Sequence, residues 1–248
     1  GAMLPWKRGR IGQTIKKLRY AFALAIALAG LVWAMQTGKS LQGPIGLFLG
    51  AWIVFGASID IYSRLGKTGD FRRLIRLPRS DWGKFFAHSG LGVTMFAIAG
   101  LMAWEQEDIR TVQIGESWSL GHFSFTLDDV ADSRGPNYFT TMAEVSVFDN
   151  GTKIATVFPE KRVYPVAQMP TTEAAIDYRF LRDLYVVIGD PQNDGGWAVR
   201  TYIKPLANWI WAGALLMALG GFLSLTDRRF RVAAGAKKQA PVQGHPAE

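Results

Sequence analysis

Three histidines, twenty aspartates and glutamates and no cysteine are the residues from which chemistry could be built in this chain. Without cysteine there is no disulfide framework, thiol nucleophile or cysteine metal site. One histidine, His88, stands where ionisable residues are rare: inside the apolar stretch Ser80 to Trp104, SDWGKFFAHSGLGVTMFAIAGLMAW. Charge is costly in hydrocarbon, so an intramembrane histidine marks a functional position by default. On a helix His88 shares its face with Gly92, Met95 and Ala99, and Gly90 lies a little off that face. Glycine beside an imidazole opens a groove for a flat group or for a second helix. Haem suits such a groove, because neutral imidazole is an axial iron ligand. A histidine donating an interhelical hydrogen bond, with Gly92 as a small packing residue, suits it too. A proton relay is the third reading. Residue chemistry alone leaves all three open.

The remaining candidates are weaker. His122 falls on the wet face of an expected strand, and His245 lies in a polar tail. Asp128, Asp129 and Asp132 read as an acidic turn, and Gly195-Gly196 as turn chemistry. There is no Ser/His/Asp set, HExxH pattern, phosphate-cradling glycine loop or paired-carboxylate motif, so no catalytic residue is assigned.

His88 needs a helix, and the pattern around it is that of an integral membrane protein. Nearly charge-free apolar runs recur four times, each long enough for a hydrocarbon core of about 30 Å. They predict transmembrane helices at about 18–37, 44–61, 85–104 and 206–225. Ser80 is the expected N-cap of the third. Pro44 suits a first helical turn, and Asp60 reads as an interfacial cap at the end of the second span. Between spans two and three, Phe71, Leu74 and Ile75 at i, i+3 and i+4 describe either a short helix on an anionic membrane surface or an ordinary charged loop.

Residues 105–205 form a polar, antiparallel β-rich domain inserted between helices 3 and 4. In HFSFTL, Phe123, Phe125 and Leu127 alternate with His122, Ser124 and Thr126, the period of a half-buried strand. Asn150-Gly151 supplies a type I′ hairpin turn. LYVVI and WAVRTYI read as strands, whereas TTEAAIDYRF fits strand or helix equally. The chain thus divides at 1–104 (basic arm and three spans), 105–205 (β domain) and 206–248 (fourth span and tail).

Charge placement sets orientation. The N-terminal arm, the 64–84 loop and the tail hold 18 of the 28 lysines and arginines, while residues 105–205 carry nine against fifteen acidic residues. By the positive-inside rule the three basic segments are cytoplasmic and the β domain is extracytoplasmic. The net charge of +8 is therefore a topology signal, and nucleic-acid binding is not expected.

The order of features resembles the C-terminal part of the CcmF (CycK) family, the membrane subunit of the system I haem lyase; the NrfE-like paralogues look alike. The likeness runs from LPWKRG to LSLTDRRFR. It is most specific at FFAHSGLGV, FPEKRVYP, TTEAAIDYRFLRDLYVVIGD and GGWAVRTYIKPLANWIWAGALLMALGG. It implies cytochrome c maturation in a bacterial inner membrane, with the large domain in the periplasm and haem attached to apocytochrome c there. His88 matches a family histidine that is one of two axial ligands to a resident haem b. The nine tryptophans are dispersed, with no WGGxWxWDP-like segment. The resemblance therefore implies a C-terminal half, whose second haem ligand and haem-delivery surface lie in a WWD-bearing N-terminal half or partner subunit. It also implies partners of the CcmH and CcmE types, and a part in a haem lyase complex rather than activity by this chain alone. A membrane-anchored β-domain scaffold or sensor without cofactor is the alternative from another class. A transporter subunit is the third.

Overall fold

The structure, a computed structural model, describes residues 11–37, 40–64, 72–193 and 195–227. The basic residues Lys7 to Arg10, Phe71 of the loop, and the tail with His245 lie outside the described residues. In chain order the elements are α1 (Ile11–Met35), α2 (Gln42–Tyr62), the four-residue α3 (Arg72–Ile75) and α4 (Arg79–Trp104). Then come β1 (Gln106–Val112), β2 (Ser117–Leu120), β3 (Phe123–Arg134), β4 (Phe139–Asp149), β5 (Thr152–Val157) and β6 (Glu160–Tyr164). They are followed by β7 (Met169–Glu173), β8 (Ala175–Tyr178), β9 (Arg182–Pro191), β10 (Trp197–Pro205) and α5 (Ala207–Leu225). Helices α1, α2, α4 and α5 are each long and apolar enough to cross a membrane. The chain divides into two compact units: a helical one, within residues 1–30, 46–96 and 211–248, and a second one, within 31–45 and 97–210.

The helical unit packs through its smallest residues. A Cβ built on Gly92 of α4 would lie 2.6 Å from Val54 Cγ2 and 2.7 Å from the Gly50 carbonyl oxygen of α2. One built on Gly90 would lie 2.5 Å from the Gly213 carbonyl oxygen and 2.6 Å from the Met217 amide nitrogen of α5. Such backbone-on-backbone contact is how helices associate where lipid removes the hydrophobic drive between them. Between α1 and α2, Phe22 meets Phe48 and Trp52 edge-on, each at 5.5 Å. Helix α4 begins at Arg79, directly after Pro78. Ser80 is thus inside the helix rather than capping it, and its free amide donates to an Asp227 carboxylate oxygen at 2.9 Å.

The second unit is two antiparallel sheets face to face. One has the order β1-β10-β9-β8; the other runs β2-β3-β4-β6-β7, with β5 also on β4. Phe123, Phe125 and Leu127 all point into the core, as their alternation requires, beside Val145, Val147, Leu184, Val186, Ile188 and Val199. Trp118 stacks on Phe125 at 5.5 Å and donates across the core to Thr201 Oγ1 at 3.0 Å. Its N–H is thereby satisfied between the sheets, as burial of an indole requires. At the Asn150-Gly151 turn both φ angles are positive, 46° and 83°, which the type I′ geometry needs.

Two features depart from a simple alternating reading. Asp128 and Asp129 sit not in a turn but at a register shift within β3, where Asp128 meets Ser146 Oγ; Asp132 accepts from Thr141 Oγ1 at 2.7 Å. TTEAAIDYRF is the crossing between sheets: its first residues belong to β7 on one and the next to β8 on the other.

The second unit also holds the start of α5. Leu206 takes a φ of 60° and donates its N–H to the Leu181 carbonyl at 2.9 Å. Asn208 donates to the Arg179 carbonyl at 3.1 Å and to Asp183 Oδ1 at 2.7 Å, and Trp209 Nε1 donates to the Phe180 carbonyl at 2.8 Å. The β8–β9 turn is thereby tied to the first turn of the helix. Asp183 is buried here, and that burial pushes its carboxyl pKa up despite the donors around it.

Candidate functional site

Helix α4 carries the candidate site, and its faces are shared out by residue size. The small residues Gly83, Ala87 and Gly90 meet α5, and Gly92 meets α2. His88, at 100° per residue, falls outside the α5 face and at the margin of the α2 face. It stands on a stripe with Lys84, Leu91, Met95 and Ile98. Leu91, Ile98 and Met102 on that stripe are exposed, and His88 itself is half-buried.

The imidazole Nδ1 lies 2.8 Å from the Lys84 carbonyl oxygen. A carbonyl can only accept, so Nδ1 carries the proton and donates. In the neutral ring that leaves the lone pair on Nε2. A backbone carbonyl holding one ring nitrogen while the other is free to ligate is a recurrent arrangement for metal-binding histidines, because it fixes tautomer and ring orientation. The hydrogen bond lies within α4, so the ring N–H is not spent on a neighbouring helix.

A flat group lodged over Gly92 does not fit, because Val54 and the Gly50 carbonyl already occupy the space a Cβ would fill. Gly90 is closed in the same way by α5. What the described residues leave open to a large apolar group is the stripe of α4 on which Leu91, Ile98 and Met102 are exposed along with the half-buried His88. The residues fit a one-sided axial ligand rather than a cradle.

One turn before His88 the structure assembles a charge cluster that residue patterning did not reveal. Asp60, read from the sequence as an interfacial cap, pairs with Lys84, and Arg64 lies 3.6 Å from Asp60 and 2.7 Å from Asp81. The two carboxylates and two cations balance, which makes their partial burial tolerable. The available signal was positional: an acid at the end of one apolar run and a base at the start of another.

The other histidine within the described residues is peripheral. His122 Nε2 lies 3.8 Å from Asp149 on an exposed surface, with its ring against Phe123 at 4.0 Å. Among the described residues no group of three or more His, Asp or Glu is placed to hold a metal ion.

Comparison with known proteins gives a consistent neighbourhood. A family profile described as the CcmF C-terminal beta-sandwich matches residues 103–205. Across its whole length the chain is 51% identical to the cytochrome c-type biogenesis protein ccl1 of Rhodobacter capsulatus, covering 38% of that protein. It is 39% identical over 96% of its length to CycK of Rhizobium meliloti, and 35% identical over 97% to CcmF of Escherichia coli, covering 36% of each. The chain thus spans less than two fifths of the length of these relatives. A solved structure titled Cytochrome c Heme Lyase CcmF superposes with a TM-score of 0.69 at 22% identity, over 91% of this chain and 37% of that one. That likeness establishes the fold.

Proposed function

Because the chain corresponds to the C-terminal part of the CcmF/CycK family of cytochrome c-type biogenesis proteins, we propose that it serves cytochrome c maturation by supplying, through His88, one axial ligand of a resident haem b. The observation that carries this reading is the Nδ1–H bond to the Lys84 carbonyl, which leaves Nε2 the ligating atom on a stripe of α4 that the described residues leave open. An imidazole on an outward stripe of a membrane helix that is apolar from Leu91 onward calls for a partner, because ionisable groups in membranes are rarely left to lipid. The partner is the WWD-bearing N-terminal half or subunit, which brings the second axial ligand and the haem-delivery surface.

When bound, haem supplies one-electron redox chemistry at its iron. The rest is the work of this chain's residues. The Lys84 carbonyl fixes the imidazole tautomer. Leu91 and Ile98, exposed on the same stripe, offer a bound group an apolar surface. The Asp60–Lys84 pair anchors the turn of α4 that presents the carbonyl.

The large domain faces the periplasm, as the basic excess on the other three segments argues. There it meets apocytochrome c and proteins of the CcmE and CcmH types. Haem lyase activity belongs to the complex rather than to this chain alone.

Membranes holding this chain together with its N-terminal counterpart are expected to show a bis-histidine b-type Soret band that His88→Ala removes or shifts. An unchanged spectrum in the variant would exclude His88 as the ligand. For orientation, protease added outside spheroplasts should cut within residues 105–205. Cutting in the 64–84 loop instead would invert the topology.

A further inference from the structure

The turn between β8 and β9 carries large apolar side chains that the fold leaves uncovered. Phe180 is 75% exposed and Leu181 60% exposed, although both belong to a well-packed β domain. A turn tip facing water is usually small or polar, and a cluster of exposed apolar side chains marks a contact surface. The backbone carbonyls of this turn are occupied: Arg179 by Asn208, Phe180 by Trp209 Nε1, and Leu181 by the Leu206 amide. The donors belong to Leu206, which immediately precedes α5, and to Asn208 and Trp209 in its first turn. The apolar tip is therefore fixed at the level where that apolar helix begins. The Trp209 ring, 5.2 Å from that of Phe180, belongs to the residue type that concentrates at membrane–water interfaces. Gly100, one turn before α4 ends at Trp104, lies beside the residue that precedes α5: a Cβ on it would be 2.8 Å from Leu206 Cδ1.

We infer that the Phe180–Leu181 turn is a lipid-contacting site, with both side chains seated in the headgroup–acyl boundary of the bilayer at the start of α5. The occupant is the phospholipid surface, because the turn is hydrogen-bonded to a membrane-spanning helix at the point where that helix leaves the bilayer. Arg179 and Arg182 flank the tip and share Asp177, at 3.2 and 2.7 Å, so no unpaired carboxylate there repels an anionic headgroup. The contact is independent of haem and of His88. It adds a third point of membrane attachment to the β domain, beside the ends of α4 and α5.

The chain has no cysteine, so one introduced cysteine reports from one place. The full chain is reconstituted in phosphatidylcholine–phosphatidylglycerol vesicles with a nitrobenzoxadiazole label at Phe180→Cys. Leu181→Cys serves as a second reporter that spares the Phe180–Trp209 ring contact. Val166→Cys, on the fully exposed β6–β7 turn, and Leu215→Cys, on the exposed face of α5, are the references. The labels at 180 and 181 should emit blue-shifted from the label at 166, be quenched by lipid spin-labelled near the headgroup, and resist aqueous iodide. Iodide quenching equal to that at 166 would overturn the proposal. Shielding from iodide without quenching by lipid would overturn it in favour of a protein contact. Loss of lipid quenching at 215 would instead remove the membrane-spanning reading of α5, and this proposal with it.

Discussion

The two units bury opposite kinds of residue. In the β domain the deepest side chains are large: Phe125, Leu127, Leu184 and Ile188 lie out of solvent, and Trp118 with them. In the helical unit the buried positions are mostly small, Ala21, Ala25, Gly50, Ala51, Gly90, Gly92, Gly213 and Gly220, while Phe22, Leu24, Trp211, Leu215 and Phe222 point outward. One chain thus obeys two solvents. In water, large apolar groups gain most by leaving the surface. In lipid they gain little by it, and close backbone approach through small residues takes over. The inversion is a stronger argument for a membrane than span length alone, since a buried soluble helix can be as long and as apolar.

The comparison can be broken by changing volume in opposite directions. Phe125→Ala removes a large buried ring from the β core and should cost about 3–5 kcal/mol, read as loss of β-domain stability in denaturant titration of the solubilised chain. Gly90→Val adds volume where the Gly213 carbonyl already sits against α4. It should weaken the α4–α5 pairing by roughly 1–3 kcal/mol, with the β-sheet signal in circular dichroism retained. If Gly90→Val is silent while Phe125→Ala is severe, the helical unit is not held by backbone approach. The smallest effect concerns a buried carboxyl within the second unit. Asp183 is a buried carboxyl with a raised pKa, so the folded state holds its proton more tightly than the unfolded chain. Its contribution therefore favours folding below the ordinary aspartate pKa and is lost as pH rises through the raised value. Asp183→Asn keeps an acceptor oxygen for Asn208 and should flatten that part of the stability–pH profile. An unaltered profile would show that the carboxyl titrates alike in both states.

How much of this was legible in the sequence follows from the range of the interactions. The long helices are visible because span length is a local property. Phe123, Phe125 and Leu127, and the Asn150-Gly151 turn, are visible because alternation and positive φ are local too. Sheet order is not, since β1 pairs with β10 some ninety residues later. TTEAAIDYRF was ambiguous because it belongs to neither sheet throughout and its strands are only five and four residues long. At the candidate site, His88 was conspicuous as an ionisable residue in an apolar run. The partition of Gly90 to α5 and Gly92 to α2 was not, because a helical wheel shows that a face is small without showing what fills it. The Asp60–Lys84 pair was hidden for the same reason.

The pairing of β1 with β10, Gln106 opposite Ile203, means that the hundred-residue excursion leaves and rejoins the helices through adjacent strands. Treated as a loop, such an insertion has a closure entropy, and here it is settled once, by the folding of the domain itself. Its internal connections can then lengthen at only about 0.6 kcal/mol per doubling without altering the gap between Trp104 and Ala207. The domain is in this sense a replaceable module. A two-residue turn joining β1 directly to β10 would hold the same helix ends at the same spacing.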